Sequence, residues 1–149
     1  MDKFLIKPIG VIHTRFHEKA NMPIQSSRSE EAGSIEIFSE FSDGLEGIID
    51  FSHLYLLYAF HLANQEVNLK VQPFLDDRIH GLFATRYPVR PNPIGLSVVR
   101  ITAVQENVIF FTGADMLDGT PLLDIKPYIP EFDVFKVEKT GWYQQRKHP

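Results

Sequence analysis

The chain has 149 residues, 44% of them hydrophobic and 23% charged, with a formal net charge of −4. That length and balance predict one globular domain able to bury a core, exclude a disordered chain, and leave no apolar run long enough to cross a bilayer as a helix. Zero cysteines exclude a disulfide framework and any thiolate metal site, and the negative charge argues against broad, sequence-independent nucleic-acid binding, which counterion release drives on basic surfaces.

The first residues have no signal-peptide layout, so the expected location is cytoplasmic, with no membrane partner. Phe4 to Thr14 alternates loosely and is rich in Ile and Val, which predicts a first strand bent at Pro8 and Gly10. Phe16 to Ala32 turns polar and small and reads as a long loop, of the kind that carries function or an insertion. Gly33 to Phe38 alternates as a half-buried strand, and Phe41 to Ile49 has room for one helical turn around Asp43-Gly44. Phe51 to His61 is apolar on both faces and dense in aromatics, which predicts a central strand covered on both sides. Asn64 to Asp77 is a second polar loop.

Gly81 to Leu96 carries Arg86, Arg90 and Asn92 threaded among Pro88, Pro91 and Pro93. Each proline fixes its own φ, removes a donor and pushes the residue before it towards extended geometry. The segment therefore reads as a stiff connection, with Arg86 ending a strand. Either it is a proline-rich surface turn with solvated arginines, or it holds fork-shaped donors against a phosphate, a carboxylate or a base edge. Ile94 to Val104 and Val108 to Thr112 are strands joined by a Glu106-Asn107 hairpin, and Leu122 to Ile125 follows a tight Asp118-Gly119 turn. Many short strands with turn signals between them predict an all-β fold, a barrel or a sandwich, with little helix.

The six histidines form no His-x-x-x-His pair, and His53 and His61, eight strand residues apart, are separated by about 26 Å, so no metal site is expected. Ser97 lies inside a strand rather than on the sharp turn a nucleophilic serine needs. No Gly-x-Gly dinucleotide fingerprint and no Gly-Lys-Ser/Thr phosphate loop occurs. Asp115, Asp118, Gly119, Thr120 and Asp124 form a second constellation, whose carboxylates either cap backbone or accept bonds from ribose hydroxyls or a cation. The residues alone thus predict a β protein with a small-ligand or nucleotide cleft between the Pro23 loop, the Arg86 loop and the Asp118 turn.

Those segments carry a resemblance. Ile9-Gly10-Val11-Ile12, Pro23-Ile24-Gln25, Phe51-Ser52-His53-Leu54, Phe60-His61, Phe83-Ala84-Thr85-Arg86, Arg90-Pro91-Asn92-Pro93-Ile94-Gly95-Leu96-Ser97, and Asp118-Gly119-Thr120-Pro121 with Asp124-Ile125-Lys126-Pro127-Tyr128 resemble, in order, the pattern of the TsaA-like domain family, which includes the TrmO-type tRNA methyltransferases. The resemblance implies one compact β-barrel domain over residues 1–149, usually a homodimer, that binds S-adenosyl-L-methionine without a Rossmann fold. It implies methylation of N6 of threonylcarbamoyladenosine in the tRNA anticodon loop. By position, cofactor contacts fall on Pro23, Ile24, Gln25, His61, Leu62, Arg86, Leu96, Leu117, Asp118, Gly119 and Thr120. Members commonly carry Arg where this chain has Ile24. Arg86, Arg90 and Asn92 are the expected catalytic residues, the arginines stabilising negative charge or holding a threonyl carboxylate, with Arg86 on the cofactor side. No general base is legible. A methyltransferase acting on a smaller acceptor, or a non-catalytic S-adenosylmethionine- or nucleotide-binding module, would use the same cleft.

Overall fold

Apolar residues recur at every second position of the strands, and the fold follows from closing that alternation on itself. In the computed structural model, which describes residues 2–18, 22–23, 29–63 and 65–146, six strands form a closed antiparallel barrel. They are β1 (Gly10–His13), β2 (Ala32–Ile37), β3 (His53–Ala59), β6 (Ile94–Gln105), β7 (Val108–Thr112) and β8 (Thr120–Pro127), hydrogen-bonded in the order β1-β2-β7-β6-β3-β8 and back to β1. Two further strands, β4 (Lys70–Val71) and β5 (His80–Gly81), pair with each other in the excursion between β3 and β6. The only α-helical stretch among the described residues is the turn Pro130–Asp133. The expected all-β barrel is therefore the observed fold.

The inward positions Ile12, Ile35, Ile37, Leu54, Leu56, Val99, Ile109, Phe111 and Leu122 fill the barrel. Burying such a side chain contributes about 1.5–3 kcal/mol, which is why a chain with little helix can hold this shape. Val71, Leu82 and Val89 are buried as well but lie outside that cluster, beneath the excursion.

Three expectations need correction. The first strand is shorter than Phe4–Thr14: pairing reaches Ile9, whose N–H donates to Leu122, and stops where Pro8 has no N–H to offer, leaving Phe4, Leu5 and Ile6 exposed. β3 is flanked on both edges, by β6 and β8, as a central strand should be. Its faces are unequal, however: Leu54, Leu56 and Tyr58 point inward, while the alternate residues are only half-buried, partly under Tyr128, whose ring meets Tyr55 edge-on at 5.4 Å. Arg86 does not end a strand, because β5 stops at Gly81 and a single 3-10 turn, Leu82–Ala84, precedes it.

Register fixes the two mouths of the barrel. Leu54 faces Pro127 across β3 and β8, and Tyr58 faces Leu122, so the Phe51 end and the Phe60 end open on opposite sides. At the first mouth the 3-10 turns Ser39–Leu45 and Ile48–Asp50 cross the opening, broken at Gly47 with φ 84°. At the second, Phe60-His61 at the end of β3, Pro88 and the Asp118-Gly119-Thr120 turn come together.

Candidate functional site

A cleft of about 120 Å³ lies at the second mouth, lined by Met22, Tyr58, Phe60, His61, Leu62, Ala63, Pro88, Asp115, Met116, Leu117 and Thr120. Four parts of the chain distant in sequence supply these residues, and strand ends and turns hold each of them in place.

The inner wall starts from Gly95. An added Cβ there would overlap the Tyr58 ring across the β3–β6 pair, so only glycine lets that ring lie over its partner strand. With the ring so placed, Tyr58 Oη is 2.9 Å from Ser97 Oγ, and Ser97 Oγ donates to Asp115 Oδ1 at 2.7 Å. Serine has one proton and gives it to Asp115, so the phenol must be the donor in its own bond to Ser97. The result is a chain of two hydroxyls whose protons all point towards one carboxylate. Burial, reinforced by the nearby Asp115 charge, pushes the Tyr58 phenol far above its usual range, so it stays a neutral donor.

The outer wall is a strap, residues 113–119, tied to the exit of β1. Asp118 Oδ1 accepts the Thr14 N–H at 3.0 Å, Thr14 Oγ1 donates to the Met116 carbonyl at 2.8 Å, and the Asp118 and Gly119 N–H groups donate to Phe16 and Ile12. Gly119 has φ 80°, a left-handed turn position that suits glycine. Asp118 thus caps backbone with one carboxylate oxygen. Ser29 Oγ, donating to the Ala114 carbonyl at 2.7 Å, ties the far end of the long loop to the same strap.

The rim is the proline loop, as stiff as its composition predicts but for a further reason. Arg90 Nη1 donates to the carbonyls of Thr85 at 3.1 Å and Tyr87 at 3.0 Å, so this guanidinium turns back onto its own loop. Trp142 Nε1 donates to the Ala84 carbonyl at 2.7 Å, and the Trp142 ring stacks on His80 at 5.2 Å. His80 and Arg78 both bond the buried Asp76, at 2.7 Å and 2.9–3.0 Å. His80 first and Arg78 second hold the Asp76 carboxyl down at about 2. A tail residue and a buried ion cluster therefore clamp the loop that carries Arg86.

Of the expected contacts, His61, Leu62, Leu117 and Thr120 line the cleft. Pro23 adjoins Met22, Asp118 and Gly119 complete the turn between two lining residues, and exposed Arg86 stands two residues before Pro88. Asn92 is exposed on the far part of the loop. Leu96 does not line the cleft: its neighbours Gly95 and Ser97 point inward, so Leu96 points out, 55% exposed. Ile24 and Gln25 lie outside the described residues. Sequence reasoning missed Tyr58, Phe60 and Ser97 as site residues. The strand parity of Phe60 with Tyr58 and the Gly95-x-Ser97 spacing were available signals, but only register brings the two strands together. No group of three or more His, Asp or Glu among the described residues is placed to hold a metal ion.

Residues 11–134 match the family model described as the tRNA-methyltransferase O N-terminal domain. A Pyrococcus abyssi protein named "Probable S-adenosyl-L-methionine-binding protein" is 49% identical over 143 residues, which are 95% of this chain and 77% of that protein. The mouse tRNA (adenine(37)-N6)-methyltransferase is 37% identical over 137 residues, 87% of this chain but only 32% of the mouse protein. The crystal structure of TrmO superposes with a TM-score of 0.80 at 38% identity, over 94% of this chain and 64% of the crystallised one. The chain belongs to the tRNA-methyltransferase O N-terminal domain family.

Proposed function

We propose that this protein is an S-adenosyl-L-methionine-dependent methyltransferase acting on N6 of an adenine in tRNA, and that its acceptor is the threonylcarbamoyladenosine of the anticodon loop. The observation that carries the reading is that Phe60-His61, Pro88 of the proline loop and Thr120 of the Asp118-Gly119-Thr120 turn meet at one cleft, in a chain that matches the family model. The residues present suit such a cofactor. Leu62, Phe60, Pro88 and Leu117 offer apolar surface to a base and a methionine chain. Bound S-adenosylmethionine supplies an electrophilic methyl group, its carbon–sulfur bond breaking with the electron pair going to sulfur. The chain's own residues bind and orient: Arg86 serves the cofactor side, and the Arg90-stiffened turn presents Asn92 to the acceptor.

At about 120 Å³ the cleft is smaller than the roughly 300–1,000 Å³ of ordinary ligand pockets. Leu96 and Ile94, exposed together on the outer face of β6, support a homodimer in which a second copy completes the enclosure. Sedimentation at micromolar concentration should give a dimer, and Leu96→Glu should give a monomer with weakened cofactor binding. A parent monomer that binds cofactor tightly would refute the dimer.

The function is tested with methyl-labelled cofactor and two tRNA preparations, one carrying threonylcarbamoyladenosine and one an unmodified transcript. Label on N6 of the modified nucleoside alone is expected. Equal labelling of both would move the acceptor to plain adenine, and no labelling with cofactor binding intact would make the protein a binding module.

A further inference from the structure

Three titratable groups line the cleft: Tyr58, His61 and Asp115. Tyr58 is a buried donor, and His61 is exposed at the rim. Asp115 is half-buried and is the only carboxylate among the lining residues. Its Oδ1 takes the proton end of the Tyr58–Ser97 hydroxyl chain. Ser97, itself held by the Tyr58 phenol, fixes the orientation of the carboxylate. Such an arrangement costs fold stability, since it places a phenol and a hydroxyl inside a barrel otherwise filled with Ile, Leu, Val and Phe. It also forces a glycine at position 95, because any side chain there would displace the phenol.

Resting on the proposed methyl transfer to an exocyclic adenine nitrogen, we infer that Asp115 is the catalytic base of the reaction, held in place by Ser97 and Tyr58 as positioning residues. As the nitrogen lone pair forms the new N–CH3 bond, positive charge appears on nitrogen, and the N–H becomes far more acidic than a carboxylic acid. Asp115 stabilises that charge, then takes the proton, while the N–H bonding pair stays on nitrogen and restores its neutrality. A carboxylate is base enough for this step, because the proton it accepts comes from a stronger acid. A neutral Asn in its place can do neither.

The test uses the full chain with modified tRNA, and pairs single-turnover transfer with calorimetric binding of S-adenosylmethionine and of its demethylated product. Asp115→Asn should lower the transfer rate by about 10²–10³-fold, with both affinities within about threefold of the parent. Ser97→Ala leaves the carboxylate but removes its support, and should lower the rate by about tenfold without changing KM for tRNA. Tyr58→Phe should fall between Ser97→Ala and the parent. The Ser97 and Tyr58 variants keep the test decisive should Asp115→Asn not fold. An Asp115→Asn protein that transfers like the parent, or one that loses affinity for the cationic cofactor alone at an unchanged rate, would overturn the assignment and make Asp115 at most a binding residue. A parent with no transfer to any tRNA, its cofactor binding intact, would sink the proposed function and this inference together.

Discussion

The two mouths of the barrel differ in the opposite sense to the one their sizes suggest. The first opens on a groove of about 640 Å³, lined by Ile9, Phe41, Leu45 and Ile48 with the carboxylates of Glu40, Asp43, Glu46 and Asp124 around it. The second holds the cleft of about 120 Å³. Most of the lining of the large groove comes from one local stretch, residues 40–51, folded over the barrel end, with the start of the chain and the end of β8 completing it. Four distant stretches must be brought into register to make the small one, and it contains the buried hydroxyl chain. Assembling a polar network in an apolar interior costs stability, whereas a shallow groove under 3-10 turns costs little. The costly mouth is the one to read as functional.

The sharpest way to break that comparison is Gly95→Ala. The added methyl meets the Tyr58 ring, so the strand pair must spread or the phenol must leave Ser97. Overpacking of this kind costs about 1–3 kcal/mol. A fall in Tm and a fall in transfer rate should appear together. A Gly44→Ala variant at the first mouth, where an added Cβ meets nothing within 4 Å, should change neither. Equal effects at both positions would show that Gly95 merely tolerates substitution poorly and that the phenol has no role.

This glycine also marks how far the sequence could be read. Alternation was enough for β2, β6 and β7, because each strand carries its own two-residue pattern, and the Glu106-Asn107 hairpin that joins β6 to β7 is local. Asn107 even reveals its tie to β2 only in space, its side chain donating to the Ile37 carbonyl at 2.8 Å. The Pro-Ile-Gly-Leu-Ser run was recognisable as a pattern, yet its reason was not, since Tyr58 and Ser97 stand 39 residues apart and meet only through register. Trp142 and Ala84, 58 residues apart, were equally hidden. The direction of Arg90 was misread for a simpler cause. A guanidinium between prolines looks outward-facing until the loop closes and offers it two carbonyls. One nitrogen serves both of them, so Lys at this position should rescue part of the loss, which a fork held on an outside ligand would not allow.

The two arginines of the rim sharpen the comparison next. Arg86→Ala should weaken cofactor binding by about ten- to a hundredfold, the range expected for a lost charged hydrogen bond of roughly 1.5–3 kcal/mol. Arg90→Ala should instead lower Tm, with a smaller change in affinity that follows loop order. Calorimetry and thermal melting on both variants separate the roles. The reverse pattern would exchange them.

A smaller effect is expected from acid, through the clamp behind the same loop. Asp76 has its carboxyl lowered from an ordinary 3.8 to about 2 by His80 and Arg78. A depressed carboxyl adds stability that is fully present above its unfolded value and is lost as pH falls through the folded one. The clamp should therefore hold at neutral pH and loosen between about pH 4 and pH 2. Trp142 is the only tryptophan and stacks on His80, so its fluorescence reports the event directly. The parent should show a step in that window, and Asp76→Asn should show none there. A step that survives in Asp76→Asn would belong to another carboxyl.

The smallest effect is expected from the large mouth itself, and distance decides it. β3 runs seven residues from one mouth towards the other, about 20 Å at the usual rise per residue. Charges at Glu40, Asp43 and Glu46 are exposed and therefore act through solvent. At physiological salt the screening length is about 8 Å, less than half the barrel, so neutralising all three should leave cofactor affinity and transfer rate within about twofold of the parent. At 0.01 M salt the screening length grows to about 30 Å and exceeds the barrel. There the acidic mouth should repel the tRNA backbone and favour approach from the other end. The triple variant Glu40→Gln, Asp43→Asn, Glu46→Gln should then alter KM for tRNA, and the change should vanish as salt is raised. An effect that persists at physiological salt, or a loss of cofactor affinity at any salt, would mean that the large groove touches a ligand after all, and that its low cost of construction was the wrong guide.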